Sequence, residues 1–490
     1  MVILTNILDI DALRKTIEKD LQILKNAGTA FSFVSSDSVL FEEGFGYRNL
    51  DEKLPFTTKT IFPLGSHTKM FTAHAIAKLV DQGKLDWETP IKEFIPQFKM
   101  MDSFASEKMT LIDLLSHTTG LPHHQFMYMN AEWSYKQVFD KLPHLESFTE
   151  FRKQFKYANL NYMIVTKIVE DISGEDYFKF MERKFFKPLG MKSTNFSVDE
   201  TFKTEDYSLG YQVNDDSFED EEYPDIKIQA AGAGSMNSNL EDMNKWIQFL
   251  LNKGKVKDKQ LISEKTLSKL YFAQRLDNNP FAMIIPDKNY IQSYGFALGC
   301  WNLNYRGTTI IQHYGTGPGI TFNGGFMPEL DIGFVLFSNT SGSDMPFIVN
   351  FHVADQILGL DVVDWGGKIK EFSEKMAQMQ AEKSSQMKDP QKQKTKPSRP
   401  LKEYVGLFTH PGYGNLEFSL EGSELKVNYG KGSDVEITHY HFDTFTLNIK
   451  TLGYETKKLV SFRDNFQGEI THLEMDAEPL VKPVRFEKKI

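Results

Sequence analysis

The sequence holds a single cysteine in 490 residues, Cys300, so no disulfide can form within the chain and nothing marks an oxidising compartment. Its setting, Tyr294-Gly295-Phe296-Ala297-Leu298-Gly299-Cys300-Trp301, is that of a small core thiol. No run approaches the roughly 18 uninterrupted apolar residues that a membrane helix needs. Positive charge is not in excess: 56 Lys and Arg against 66 Asp and Glu leave −10, which argues against a nucleic-acid or anionic-membrane binder. The N-terminus lacks a basic region and a small-residue cleavage site, so a signal peptide is not expected and a cytoplasmic location is the default. His123-His124 and the pair His439 and His441 have no further ligand at metal spacing, so no metal or other cofactor is expected.

With 40% hydrophobic and 13% aromatic residues, the chain can build a sizeable core. Its length calls for one large and one small domain. The spacing predicts a helix from Asp11 to about Ala27, then a hairpin through Ala30–Val34 and Val39–Tyr47. Further β-like runs are expected at Tyr294–Leu303, Thr308–Tyr314, Ile320–Pro328 and Ile332–Asn339. Strands at both ends with helices between predict an α+β fold, an antiparallel sheet whose first and last strands pair around a helical insert. Asn214–Glu222 is acidic and aperiodic, and reads as a solvated loop. Residues 122–150, rich in Met, His and aromatics and including Met129 and Trp133, suit an adaptable rim over a pocket.

From residue 371 to 400 the composition turns to Lys, Gln, Ser and Pro, a linker with a helix at its start. Short strand patterns near every ten residues from Leu401 to Ile490 then predict a small β-barrel or sandwich, in which His439 and His441 would share a strand face. The domain expectation is therefore 1–370, a linker over 371–400, and 401–490.

The chemistry centres on Pro63-Leu64-Gly65-Ser66-His67-Thr68-Lys69-Met70. Apolar residues at Phe71, Ala75, Ile76, Leu79 and Val80 predict a buried helix that stops at Gly83, with Ser66 at its N-terminus. There the dipole favours developing negative charge, and the i, i+3 spacing puts Lys69 beside the hydroxyl. A lysine with a lowered pKa can take the serine proton, although a serine at a helix start also serves as a plain cap. Tyr157 and Asn159 precede another amphipathic helix, where core tyrosine and helix cap are the simpler roles. His117, at a glycine turn, reads as a hydrogen-bonded structural histidine before it reads as a substrate contact.

Three elements in order, Ser66/Lys69, Tyr157/Asn159 and His313/Gly315, resemble the serine β-lactamase and penicillin-binding-protein superfamily. Tyr-x-Asn looks like the class C, D-aminopeptidase and esterase branch, peptidase S12-like. Gly83–Asp86, Leu114–Leu121, Pro188–Met191 and Ala231–Ser235 are similar to stretches around that family's motifs, and the resemblance covers about residues 10–365. His439–Phe445 looks like a lipocalin-like domain appended to some family peptidases.

The resemblance implies that Ser66 forms an acyl-enzyme while Lys69 and Tyr157 share proton transfer. It implies that Asn159 orients Lys69 and the substrate amide, that the amides of Ser66 and Thr316 form the oxyanion hole, and that His313 lines the site beside Gly315. His313 stands where class C enzymes carry lysine, and imidazole is a poorer fixed counter-ion. The expectation is thus a serine hydrolase for a small-molecule, peptide or ester substrate, a peptidase, amidase or esterase rather than an efficient β-lactamase. An acyltransferase using the same serine, and an idle scaffold or ligand-binding member, are the competing readings, and a homo-oligomer is compatible with each.

Overall fold

The computed structural model describes residues 8–129, 135–214, 217–223, 231–276, 290–386, 395–430, 434–451 and 454–489. They form two compact units, Met1–Thr89 with Val165–Gln380, and Pro90–Ile164 with Ala381–Ile490.

The first unit is built on a nine-stranded antiparallel sheet. Its strands are β1 (Gly28–Val34), β2 (Val39–Asn49), β3 (Leu54–Pro55), β4 (Arg275–Leu276), β5 (Ile291–Phe296), β6 (Trp301–Tyr305), β7 (Thr308–Gly317), β8 (Ile320–Met327) and β9 (Ile332–Ser338), in the spatial order 4-5-6-7-8-9-1-2-3. First and last strands do pair: Thr29 lies opposite Ser338 and Val34 opposite Gly333. Every residue of β1, β8 and β9 is buried, so both faces are covered. The helix α1 (Ile10–Ile23), capped by Asp9, packs with Met345–Ile357, and Leu240–Leu251 packs on β1 and β9.

Tyr294–Leu303 is two strands rather than one run, because the turn Ala297–Cys300 reverses the chain, with Ala297 N–H donating to Cys300 O at 2.8 Å. Burial pushes the Cys300 thiol pKa up, as suits an inert core group. The acidic stretch is also not a loop: Ser217–Glu221 is an exposed strand paired with Gly210–Asn214, and this paired backbone needs no apolar periodicity to hold it.

The helix α2 (Thr68–Asp81) is buried on nearly every side, beyond the one-sided stripe its spacing suggests, and ends at Gly83 with φ +69°. In the second unit, α3 (Leu111–Leu115) carries a capping box between Thr110 and Asp113. The helix α4 (Asn159–Ser173) runs across one sequence boundary between the two units, and α5 (Trp365–Gln386), at the start of the expected linker, runs across another.

The remaining strands are β10 (Gly406–His410), β11 (Gly414–Glu421), β12 (Glu424–Asn428), β13 (Asp434–His441), β14 (Thr444–Thr451), β15 (Tyr454–Asp464), β16 (Ile470–Met475) and β17 (Val484–Lys488). They make an eight-stranded near-barrel in the order 12-11-10-17-16-15-14-13. A bulge between His439 and His441 breaks their shared face; His439 bonds Phe442 O and His441 bonds Thr395. Among the described residues no group of three or more metal-ligating side chains occurs, and no helix is long and apolar enough to cross a membrane.

Candidate active site

Ser66 lies in a 3₁₀ turn, Gly65–His67, that runs directly into α2. The turn is held from outside the helix. Phe62 and Pro63 pair with Ser238 and Asn237, and Leu64 N–H donates to Met236 O at 2.8 Å. Thr68 Oγ1 donates to Gly65 O at 2.8 Å and accepts from Met236 N–H at 3.2 Å. Ser66 is thereby fixed at the positive end of a long buried helix.

Lys69 is fully buried one turn on. Its Nζ lies 2.9 Å from Ser66 Oγ and donates to the Ala233 carbonyl at 2.7 Å. Burial holds its pKa well below the ordinary 10.5. An amine whose pKa is lowered in this way can take the serine proton. Ala233 reaches this position because its segment is made of small residues: a Cβ on Gly232 would fall 2.1 Å from Thr166 Oγ1. Thr72 Oγ1 also donates to Gly232 O at 2.8 Å, fastening the segment to α2.

The end of β7 completes this half of the site. A Cβ on Gly315 would lie 2.0 Å from Leu64 O and 3.0 Å from Ser66 N, and one on Gly65 would lie 3.3 Å from Thr316 N. Strand and turn therefore meet backbone to backbone, with the Ser66 and Thr316 amides in the same contact. His67 was not marked by any sequence pattern, yet it pins the two together: its Nδ1–H donates to His313 O at 2.8 Å. Phe71 and Phe322 stack edge-on against its ring, and burial takes its pKa down to about 4. His313 is buried too, and its Nδ1–H donates to Tyr314 O at 2.7 Å. Burial holds its pKa well below 6.5, so it presents a neutral ring.

Tyr157 and Asn159 belong to the other unit. His117, at φ +57°, organises them: its carbonyl accepts from Lys156 N–H at 2.9 Å, and its Nδ1 accepts from Ala158 N–H and lies near Asn161 Nδ2, both at 3.2 Å. The Tyr157 ring lies over His117 at 4.4 Å and 5.9 Å from the ring of His123. Asn159 Nδ2 donates to Tyr128 OH at 3.3 Å, while its Oδ1 is buried with no partner among the described residues. Ser66, Lys69, His313, Gly315 and Thr316 are thus gathered in one unit, and Tyr157 with Asn159 in the other. Trp133 lies outside the described residues.

A family model described as Beta-lactamase matches residues 13–358, and one described as a domain of unknown function (DUF3471) matches 390–488. In sequence the chain is similar to unguisins hydrolase ungD of Aspergillus violaceofuscus, 26% identical over 481 residues that cover 92% of this chain and 84% of that protein. In structure it is similar to the octameric penicillin-binding protein homologue from Pyrococcus abyssi, with a TM-score of 0.63, 20% identity and coverage of 98% and 100% of the two chains. The D-amino acid amidase from Ochrobactrum anthropi SV3 matches with a TM-score of 0.56 and 23% identity, over 71% of this chain and 98% of that one.

Proposed function

This chain belongs to the beta-lactamase family, and on that premise we propose that it is a serine hydrolase that opens amide or ester bonds through an acyl-enzyme on Ser66. The observation that carries the reading is the Ser66–Lys69 pair at 2.9 Å, with Lys69 fully buried and its pKa held well below 10.5 by that burial. In the proposed reaction, Ser66 Oγ attacks the substrate carbonyl as its proton passes to Lys69 Nζ. The amides of Ser66 and Thr316 receive the developing oxyanion, typically worth about 3 kcal/mol per donor. Lys69 and Tyr157 share delivery of a proton to the departing amine or alkoxide, and water then releases the acyl group.

Two features support an amidase, peptidase or esterase over an efficient β-lactamase. His313 is neutral and so supplies no fixed positive charge for a carboxylate beside the reacting bond. The unpartnered Asn159 Oδ1 suits a substrate N–H, which favours amides over esters. The likeness to an unguisins hydrolase and to a D-amino acid amidase supports the same substrate range.

The test is intact-mass analysis after treatment with a fluorophosphonate and with a penicillin. One fluorophosphonate adduct is expected on the parent chain and none on Ser66→Ala. An adduct that persists in Ser66→Ala, or none on the parent, overturns the assignment and moves the idle-scaffold reading ahead.

A further inference from the structure

The barrel and His123, Gln125, Phe126 and Lys156 of the same unit line a cavity of about 410 Å³. Phe126, Ile449 and Ala477 line it as buried apolar groups, and Pro479 and Leu480 stand exposed along it. Three charged side chains line it as well: Lys156, Lys458 and Glu478. The Glu478 carboxylate is already engaged, accepting from His124 N–H at 2.8 Å and from Leu480 N–H at 3.3 Å.

Lys458 is the anomaly. Alternation along β15 places it on the face of Thr456, Val460 and Phe462, of which the last two are buried, and it lies opposite the buried Leu447. It is only 8% exposed. Its Nζ donates to Asp476 O at 3.1 Å, and the carboxylates of Asp476 and Glu478 attract it without forming an ion pair within 4.0 Å. An ammonium has three donors, and one backbone acceptor leaves two for something else. A cation in an apolar barrel wall is costly unless an anion or further acceptors meet it. Because the rest of the lining is largely apolar, the anion that fits is one carried on an apolar body, and the volume lies in the range of small-molecule pockets.

We propose that this cavity binds the carboxylate of a small apolar acid, with Lys458 holding the anion and Phe126, Ile449 and Ala477 covering its apolar part. His123 lines the same cavity and its ring lies 5.9 Å from that of Tyr157, which joins the cavity to a residue assigned to catalysis. The acid is then either the carboxylate end of the substrate, an assignment that rests on the serine-hydrolase reading, or a free acid that binds beside the reaction.

The experiment is calorimetric titration of the full chain and of Ser66→Ala with 3-phenylpropionate and with its neutral counterpart, 3-phenylpropanamide. The acid is expected to bind both proteins alike and at least about tenfold more tightly than the amide, the usual scale for a charge-assisted hydrogen bond. Lys458→Met, an apolar residue of similar length in an apolar wall, is expected to erase that preference. No binding of the acid up to about 10 mM, weaker than any functional site of this kind, overturns the proposal. So does equal affinity for acid and amide on the parent chain, a comparison that needs no variant to fold. Binding to Ser66→Ala requires no acylation, so the result stands or falls apart from the hydrolase reading. Slower labelling of Ser66 by a fluorophosphonate in the presence of the acid assigns the carboxylate to the substrate, and unchanged labelling assigns it to a free acid.

Discussion

Lys69 shows how much a single residue can cost a fold that uses it. In the unfolded chain its amine is protonated below 10.5, whereas burial keeps it neutral in the folded chain far below that value. Folding therefore releases a proton, and the unfolded state binds more protons through this whole window. Wild-type stability therefore falls as pH is lowered from 10.5, by about 1.4 kcal/mol per pH unit, until the folded pKa is reached. Lys69→Met removes this penalty. Urea unfolding of the variant and the parent is expected to diverge in the variant's favour between pH 9 and pH 7, while labelling of Ser66 by a fluorophosphonate slows at least about 100-fold. A stability difference that does not change with pH would mean that Lys69 is charged in the folded protein.

At the scale of elements, the site is a junction between β7 and the turn before α2, and glycine makes the junction. With 2.0 Å between a Gly315 Cβ and Leu64 O, Gly315→Ala must push the strand away from Ser66. The expected outcome is a loss of about 10² to 10³ in acylation rate, the worth of one oxyanion donor, with the far-ultraviolet circular dichroism unchanged. Wild-type acylation by this variant would place the oxyanion elsewhere. His67 serves the same junction from the other side, through its bond to the His313 carbonyl.

At the scale of the whole molecule, both units store neutral histidines. In the first, His67 and His74 have pKa values lowered to about 4 by burial. In the second, His124 is lowered to about 4, with its Nδ1 accepting from Tyr413 OH at 2.6 Å and its Nε2–H donating to Glu146 O at 3.0 Å. The Tyr413 contact, with the Phe126 ring stacked on Tyr429 at 4.1 Å, docks His124 and Phe126 on the barrel. Between pH 6.5 and 4 the unfolded chain takes up protons that these histidines refuse in the folded state. Stability is therefore lost as pH falls through that window, at about 1.4 kcal/mol per unit for each histidine. The urea midpoint is expected to drop between pH 7 and pH 5, and equal midpoints would rule out neutral burial.

The sequence by itself determined what depends on near neighbours along the chain. Ser66 and Lys69 share a helix face because they stand three positions apart, Gly83 stops that helix, and alternation located the strands that build both sheets, including the pairing of β1 with β9. Turn chemistry was less legible: Ala297–Cys300 carries no polar turn residue, so two strands read as one, and the acidic hairpin lacked any apolar pattern. What only the tertiary structure decided is which groups lose water. Lys69 meets the Ala233 carbonyl from 164 positions away, His313 is neutralised by what covers it, and Lys458 looks like a surface lysine until the barrel closes over it. Desolvation is set by the atoms that surround a group in space, and those come from segments that no local pattern in the chain brings together.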